Sequence, residues 1–243
     1  MDWFFADNIG TTGDSFLITG EDALHITRSL RMSVGEVLTL CDNNQNEHLC
    51  KIERISSEGV QVRICSTEEC THEPSIRVTL YFALTKGDKP ETVIQKCVEL
   101  GVSEIVPVLT DRCVSRPDRK SADKKFIRYN KIALQAAMQS RRGIIPKVKP
   151  MTDLKAILPE LSTFDKVILF YEGGGEPLRT LITPEHKNIA VFIGPEGGFE
   201  EREVELLLQY GAKTATLGKR ILRAETAPLA ALSAIMFHTK NLE

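Results

Sequence analysis

The half of the chain that begins at Ile76 alternates nearly continuous apolar runs with segments of helical period, and this alternation constrains the fold more than any other feature. The run "IRVTLYFAL" (residues 76–84) is rich in β-branched residues, as a strand covered on both faces is. The next segment, "KPETVIQKCVELG", repeats apolar residues at helical spacing, and Gly101 can end it. Strands that alternate with helices predict an α/β domain with a mainly parallel sheet.

The start of this helix carries a capping signal. Asp88 is predicted to be the N-cap, Pro90 fits the first turn, and Glu91 stands three residues after the cap, where it can complete a capping box. The rest of this half contains four more predicted strands (residues 104–110, 166–172, 188–194 and 214–218) and three more predicted helices (residues 122–140, 200–210 and 226–239).

The first seventy residues show a different sequence pattern. Four short segments of β character (residues 15–19, 37–42, 48–55 and 59–66) are separated by turn-like stretches, the first of them at residues 10–14, and a short helix is predicted within residues 21–36. This spacing predicts small antiparallel strands that form a barrel or sandwich. Residues 66–74 are typical of a linker, so we predict two domains, 1–73 and 74–243.

Composition excludes several classes of protein. No apolar run approaches the length needed to span a bilayer, and the N-terminal residues lack the pattern of a signal peptide, so a cytoplasmic protein with no membrane partner is predicted. The six cysteines form no C-x-x-C pair, which argues against a disulfide framework or a zinc knuckle. The five histidines show no ligand spacing, so no metal is expected.

The net charge of −2 conceals a strongly basic segment. Between Arg112 and Lys149 there are twelve basic residues and two acidic ones, so this segment carries +10 and the rest of the chain −12. Such an excess favours a polyanion such as RNA as the partner. The alternative is a solvated helix face that is rich in lysine.

Three predicted strands end in unusual loops, within residues 169–176, 192–201 and 216–227. Ligands of parallel sheets gather at the carboxyl ends of the strands. A phosphate-binding P-loop is excluded because Gly218-Lys219 is followed by Arg220, not by Ser or Thr. The acids Glu200, Glu201 and Glu203 would also repel a phosphate, whereas a nucleoside-type cofactor with a positive sulfonium, S-adenosylmethionine, fits. The alternative is that the loops are only tight turns.

Five segments carry a resemblance to a known family: "HITRSLRMSVGE", "ALTKGDKPETVIQKCVELGVSEIVPVLTDRCV", "KIALQAAMQSRRGIIPKV", "IGPEGGF" and "LGKRILRAETA". Together they resemble the RsmE family, the bacterial 16S ribosomal RNA uridine-N3 methyltransferases of the SPOUT class. The resemblance implies an N-terminal PUA-like β-barrel, a C-terminal α/β domain tied in a trefoil knot, a homodimer, and S-adenosylmethionine held in the knot. It also implies that the small ribosomal subunit is the partner.

The resemblance also assigns residues to roles. The implied cofactor-binding residues are Tyr171, Glu172, Ile193, Gly194, Pro195, Glu196, Gly197, Leu217, Gly218, Ile221, Leu222, Arg223 and Thr226. The chain departs from the family pattern at Asp2-Trp3, where a basic residue is usual, at Glu200 and at Pro228. Only Asp2 bears on function, because it removes an expected basic contact to RNA.

The expected chemistry selects the catalytic candidates. Uridine N3 keeps its proton at neutral pH, so the enzyme must remove that proton and stabilise the resulting anion. Arg223 is the candidate for stabilising the anion, with a structural ion pair to Glu225 as the alternative, and Glu172 (or Glu196) is the candidate proton acceptor. The candidates for RNA contact are Arg28, Arg31, Lys86, Gln139, Arg141 and Arg142.

Three other functions remain as alternatives. A SPOUT ribose 2′-O-methyltransferase would use the same fold, although "ILRAETA" differs from the motif such enzymes carry at the last helix. A nonenzymatic RNA-binding assembly factor could retain the fold without activity. An enzyme that acts on a nucleoside triphosphate is disfavoured by the missing P-loop residues.

Overall fold

A computed structural model describes residues 2–9 and 13–242, and its internal contacts divide the chain into two compact units. The first unit contains the described residues up to Glu73 together with Ala137–Ile145, and the second contains Pro74–Ala136 and Pro146–Glu243. The sequence interpretation divided the chain at a single point after residue 73, so it did not include the short later segment in the first unit.

The first unit is built on a five-stranded sheet. Its strands are β1 (Trp3–Phe5), β2 (Ser15–Ile18), β3 (Val37–Cys41), β4 (Asn46–Ser56) and β5 (Gly59–Glu69). They lie in the order β1-β3-β4-β5-β2, and all neighbours are antiparallel except the pair β1 and β3. The four predicted strands are confirmed, whereas β1 was missed because three apolar residues in a row show no alternation. Residues 10–12 of the turn predicted at residues 10–14 lie outside the described residues.

The core of the first unit consists of buried apolar side chains. Phe4, Ile26, Leu38, Leu40 and Val62 are among its fully buried side chains. The predicted short helix is α1 (Gly20–Leu24), which continues as a π-helical turn over His25–Ser29 and places Ile26 in this core. Strand β5 runs to Glu69, so it covers the first four residues of the predicted linker.

The second unit contains a sheet in which all paired strands are parallel. Its strands are β6 (Arg77–Ala83), β7 (Glu104–Leu109), β8 (Lys147–Val148), β9 (Thr152–Asp153), β10 (Lys166–Phe170), β11 (Glu176–Pro177), β12 (Asn188–Ile193) and β13 (Lys213–Thr216). The order is β11-β13-β10-β12-β6-β7-β8, with β9 also paired to β7. The predicted parallel α/β sheet is therefore confirmed, while the trefoil knot stays a prediction.

Helices follow the strands of the second unit. They are α2 (Lys89–Glu99), α3 (Arg119–Gln139), α4 (Leu154–Ile157), α5 (Leu178–Leu181), α6 (Glu201–Gln209) and α7 (Thr226–His238), and a 3-10 helix covers Leu158–Thr163. The long predicted helices correspond to α2, α3, α6 and α7. Among residues 2–9 and 13–242 there is no helix with the combination of length and apolarity that crossing a bilayer requires.

The capping box predicted for α2 is wrong. Asp88 occupies the N-cap position, but its side chain makes no capping hydrogen bond with the described residues, and its backbone carbonyl instead accepts the N–H of Glu91 at 3.1 Å. The Glu91 carboxylate binds Arg128 on α3. Tertiary ion pairing therefore replaces the local cap, which sequence spacing cannot reveal.

Candidate cofactor-binding site

Three loops meet at one edge of the parallel sheet. Strand β10 lies between β12 and β13, and its last residue, Phe170, is in register with Ile193 and with Ala215. The chain segments that follow these strands are therefore neighbours, and we call residues 171–175, 194–199 and 217–225 the first, second and third cavity loops. They enclose a cavity of about 810 Å³, within the range of about 300–1,000 Å³ that is typical of small-molecule sites.

The sequence-predicted cofactor residues converge on this cavity. Twelve of the thirteen contribute to its lining: Tyr171, Glu172, Ile193, Gly194, Pro195, Glu196, Gly197, Leu217, Gly218, Ile221, Leu222 and Arg223. Thr226 does not; it is the first residue of α7, and its backbone N–H donates to the carbonyl of Arg223. The convergence supports the prediction that the loops bind one ligand, and the role of each residue stays a prediction.

Glycine is required where the first and second cavity loops approach each other. Gly198 has a φ of +69°, in the left-handed region, and a Cβ atom placed on it would lie 2.1 Å from Oε1 of Glu172. At Gly175 a Cβ atom would lie 2.5 Å from the backbone of Thr214, so this loop runs directly against β13. Gly198 therefore lets backbone line the cavity where a side chain would displace Glu172, and Gly175 lets the first cavity loop lie against β13.

A lysine that the sequence interpretation missed connects two of the loops. Nζ of Lys89, the first residue of α2, lies 3.1 Å from Oε1 of Glu196 in the second cavity loop and 3.4 Å from Oε2 of Glu225 in the third. The hydrogen bond to Glu196 raises the pKa of Lys89, so its ammonium group stays charged. Only the fold brings these residues together, since Glu196 is 107 positions away in sequence.

Glu196 is held in its ionised form. Burial alone would raise its pKa, but hydrogen bonds from its own backbone N–H, from Lys89 Nζ and from the backbone N–H of Lys86 together lower it below the usual value. The Lys86 contact uses the main chain, while the Lys86 side chain is exposed. The ionised Glu196 carboxylate and the Lys89 ammonium therefore form an ion pair in the cavity wall.

The acids that follow the second cavity loop do not face the cavity, and the prediction that they confront the ligand is wrong. Arg112 binds Glu200 (Nε to Oε1, 2.8 Å) and also donates to the carbonyl of Gly197 at 2.7 Å. Glu203 is buried, and its carboxylate accepts the backbone N–H groups of Glu200 and Asp111, both at 2.9 Å. These acids fix the start of α6, whereas Glu172, Glu196 and Glu225 line the cavity.

The third cavity loop presents exposed basic side chains. Arg223 lines the cavity and is exposed, and it has no ion pair with any described residue. Glu225, its predicted alternative partner, lies beside Lys89 instead. Lys219 and Arg220, which the sequence interpretation did not select, are also exposed and line the same cavity. This mouth of the site suits an anionic ligand.

Five of the six predicted RNA-contact residues are exposed. Arg28, Arg31, Gln139 and Arg141 lie on the first unit, and Lys86 on the second. Arg142 is the exception, and its prediction as an RNA contact is wrong. Its side chain is only 4% exposed, and its guanidinium donates to both carboxylate oxygens of Glu73, at 3.1 and 2.5 Å. The guanidinium is therefore used in an internal ion pair and is not presented to RNA.

The basic segment of residues 112–149 is partly neutralised within the protein. At least four of its twelve cations pair with acids: Arg112 with Glu200, Arg128 with Glu91, Arg142 with Glu73 and Lys149 with Glu104. Exposed cations on α3 include Arg119, Lys120 and Lys124. The positive electrostatic potential that this segment presents to a polyanion is therefore weaker than its net charge of +10, counted from the sequence, indicates.

Comparison with known families defines the class of protein. A model described as an RNA methyltransferase domain matches residues 72–236, and one described as an RNA methyltransferase PUA domain matches residues 18–65. The fold and the matches together define an RNA methyltransferase with an N-terminal PUA domain, as predicted.

Individual relatives narrow this assignment. The chain is 37% identical over 235 residues to ribosomal RNA small subunit methyltransferase E of Bacillus subtilis, covering 94% of this chain and 92% of that protein. It is 32% identical over 192 residues to the protein of the same name from Aquifex aeolicus, covering 78% and 80%. A crystal structure of the Neisseria gonorrhoeae enzyme bound to S-adenosyl methionine matches with a TM-score of 0.87 at 29% identity, covering 98% of this chain and 97% of that one. The chain belongs to the ribosomal RNA small subunit methyltransferase E (RsmE) family.

Proposed function

We propose that this chain transfers a methyl group from S-adenosylmethionine to N3 of a uridine in 16S ribosomal RNA, and that its substrate is the assembled small ribosomal subunit. The observation that carries the proposal is the cavity formed by the three loops, which combines glycine backbone, three carboxylates and an arginine that forms no ion pair with the described residues. Membership of the RsmE family supports both the cofactor and the class of RNA. A cytoplasmic location and a homodimer belong to the same proposal.

The residues of the cavity fit S-adenosylmethionine. Exposed backbone amides and carbonyls of the glycine loops can bind the adenine edge, and the carboxylates of Glu172, Glu196 and Glu225 can bind ribose hydroxyls or lie near a positive charge. Glu196 is suited to this role because Lys89 and backbone N–H groups keep it ionised. When bound, S-adenosylmethionine supplies a methyl group that is already electrophilic.

The protein must therefore act on the uridine. Arg223 extends from the third cavity loop and has its five N–H donors available to stabilise the anion that spreads over O2, N3 and O4. Glu172 lies against Gly198 at the junction of two cavity loops and accepts the N3 proton, directly or through water. The three cavity loops would hold the cofactor and the uridine close together, which favours transfer of the methyl group to N3.

The RNA is bound by charge around this site. Lys219 and Arg220 line the cavity from the third loop, and a uridine must leave its stack to enter the cavity. Arg31 and Arg141 on the first unit would contact phosphates and position the RNA.

The deciding experiment is methylation of small subunits that lack the modification, followed by mapping of the product nucleoside. The proposal requires a methyl group on uridine N3 at one position. A methyl group on ribose would instead establish a 2′-O-methyltransferase, and activity on free RNA that equals activity on the subunit would remove the assembled subunit from the proposal. If calorimetry detected no S-adenosylmethionine binding with or without RNA, a nonenzymatic factor would be favoured.

Replacement of the arginine tests the catalytic role. Arg223→Ala should lower kcat by about 100-fold or more, because it removes donors that act on the developing anion, while the affinity for S-adenosylmethionine changes little. Arg223→Lys should recover only part of the loss, since a single ammonium lacks the planar fork. Single-turnover methylation would measure both, with Lys219→Ala as the matched control, which should raise KM and leave kcat nearly unchanged. Near-normal turnover by Arg223→Ala would remove this residue from the mechanism.

A further inference from the structure

Three side chains of types that can bind a metal ion lie close together in the first unit, and none of them lines the cofactor cavity. Glu47, Cys70 and His72 each offer one ligand atom, and the three atoms lie within 4.8 Å of one another. We propose that these residues bind one Zn²⁺ ion, with water as the fourth ligand, and that the ion stabilises the first unit. The expectation of no metal rested on sequence spacing, and it missed a ligand set that is completed by a residue more than twenty positions upstream of the Cys-x-His pair.

The separation of the Cys70 and His72 ligand atoms suits tetrahedral zinc. Sγ of Cys70 and Nδ1 of His72 are 3.4 Å apart. Bonds of about 2.3 Å to sulfur and about 2.0 Å to nitrogen, at a tetrahedral angle, separate the two ligand atoms by roughly 3.5 Å. A thiolate, an imidazole and a carboxylate are also a donor set typical of this ion.

The third ligand is left unsatisfied by the protein itself. Oε2 of Glu47 is buried and has no hydrogen-bond partner among the described residues. An unpaired buried carboxylate oxygen is costly, because burial removes water without replacing it. A cation bound between Glu47, Cys70 and His72 would satisfy this oxygen.

The surrounding backbone holds the ligands in place before any ion binds. Glu47 is fixed in β4, and the N–H of Cys70 donates to the carbonyl of Gln45 at 2.7 Å, which ties the segment after β5 to the start of β4. Trp3 packs edge-on against the His72 ring, with centroids 5.9 Å apart. Gly143 closes the side next to Cys70, where a Cβ atom would lie 3.0 Å from Sγ.

The charges balance when zinc is bound. The Cys70 thiol gives its proton to solvent, and the resulting thiolate and the Glu47 carboxylate together neutralise Zn²⁺. The nearby Arg142 is itself neutralised by Glu73. Because the thiol must lose its proton to bind the ion, the affinity for zinc should fall as the pH falls. His72 is exposed, which gives water access to the fourth position.

Zinc bound here would hold the segment that follows β5 in place. The segment from Cys70 to Glu73 follows β5 directly, and the Glu73 carboxylate accepts the backbone N–H groups of Gly143 and Ile144 at 2.9 and 3.2 Å. Holding Cys70 and His72 against β4 therefore also holds Glu73 where it binds the later segment.

Direct metal titration of the full chain tests this proposal without any methylation assay. Protein freed of metal with a chelator is titrated with Zn²⁺ in competition with a chromophoric chelator, and in parallel with Co²⁺. We expect one equivalent of Zn²⁺, thermal stabilisation on binding, and a thiolate-to-cobalt charge-transfer band. Absence of stoichiometric Zn²⁺ binding by the folded chain would overturn the proposal.

Variants identify the ligands. His72→Gln changes an exposed residue and should leave the fold intact while it weakens Zn²⁺ binding by about 100-fold or more, since loss of a direct ligand costs at least as much as loss of an outer partner. Cys70→Ser should abolish the charge-transfer band. Cys65→Ser, which replaces an exposed cysteine outside the cluster, is the matched control and should retain both properties. Unchanged affinity in His72→Gln, or loss of the band in Cys65→Ser alone, would place the metal elsewhere and refute the assignment.

Discussion

The cofactor cavity and the Glu73 junction (Glu73, Arg142, Gly143 and Ile144) are constructed in opposite ways. The cavity uses glycine-rich loops that leave adjacent parallel strands, and several of its charged side chains are exposed. The junction is buried at Arg142 and Gly143 and half-buried at Glu73 and Ile144, and it depends on one carboxylate that binds a guanidinium and two backbone N–H groups about seventy residues away. Backbone-lined sites leave a local signature of glycines in sequence, whereas a buried ion pair is indistinguishable there from any other pair of charges.

The largest expected effect is a loss of stability when the Glu73 junction is broken. Arg142→Ala should lower the free energy of unfolding by about 3–5 kcal/mol, because it leaves Glu73 buried without its partner. Arg141→Ala, at an exposed neighbouring residue, should change stability by no more than about 0.5 kcal/mol. Denaturant unfolding of both variants measures the difference. Equal free energies of unfolding for the two variants would show that the junction contributes no more to stability than an exposed position does.

The second prediction tests whether the cavity depends on glycine geometry. Gly198→Ala should cost about 1–2 kcal/mol in backbone strain, and it should also weaken S-adenosylmethionine binding because the new Cβ displaces Glu172. Gly211→Ala is the matched control, since Gly211 has a φ of +89° but open space around its Cβ position and lies outside the cavity lining. Calorimetry should find weaker cofactor binding only for Gly198→Ala. The same loss in both variants would attribute the effect to general destabilisation.

A smaller effect is expected at the lysine that connects two cavity loops. Lys89→Met keeps most of the side-chain volume but removes the ammonium between Glu196 and Glu225, so the affinity for S-adenosylmethionine should fall by about tenfold. Lys89→Arg should retain more of the affinity because it keeps the positive charge. Equilibrium binding measures both variants, and unchanged affinity in Lys89→Met would mean that the loops are held in place without this contact.

The smallest expected effect concerns the exposed ion pair that replaces the predicted cap of α2. The hydrogen bond from Arg128 lowers the pKa of Glu91 below its ordinary value of 4.5. A carboxyl whose pKa is lowered on folding contributes stability above its unfolded pKa, and this contribution is lost as the pH falls through the folded value. Glu91→Gln should therefore have a slightly lower melting temperature than the wild type at pH 7, and the difference should shrink below about pH 4.5. A difference that stays constant through this range would show that the pair contributes nothing.

Much of the fold follows from local pattern. The strand at Arg77–Ala83 and the helix at Thr226–His238 were both predicted, because continuous apolar runs and helical periods are properties of neighbouring residues. The cofactor loops could be selected for the same reason, and Thr226 is the one predicted cofactor residue that the fold leaves outside the cavity. Strand β1 was missed because its three apolar residues show no alternation, and its pairing with β3, more than thirty residues away, gives no local signal.

The errors in charge assignment share one physical cause. Arg142 was interpreted as an RNA contact, and Glu200 and Glu203 as acids that face the ligand, because sequence shows the sign of a charge but not its partner. Lys89 was overlooked for the converse reason, since its importance comes from two acids on distant loops.

The sequence alone determined the alternation of elements, the glycines of the cavity loops and the membership of the RsmE family, because each depends on residues that are close together in the chain. Only the tertiary structure decided which charges face solvent, which of them neutralise one another, and which side chains meet in the Glu47, Cys70 and His72 cluster. These charge pairings and side-chain contacts depend on strand order and on the return of Ala137–Ile145 to the first unit. The physical reason is that Coulomb and coordination energies depend on distances of a few ångströms in space, regardless of separation along the chain.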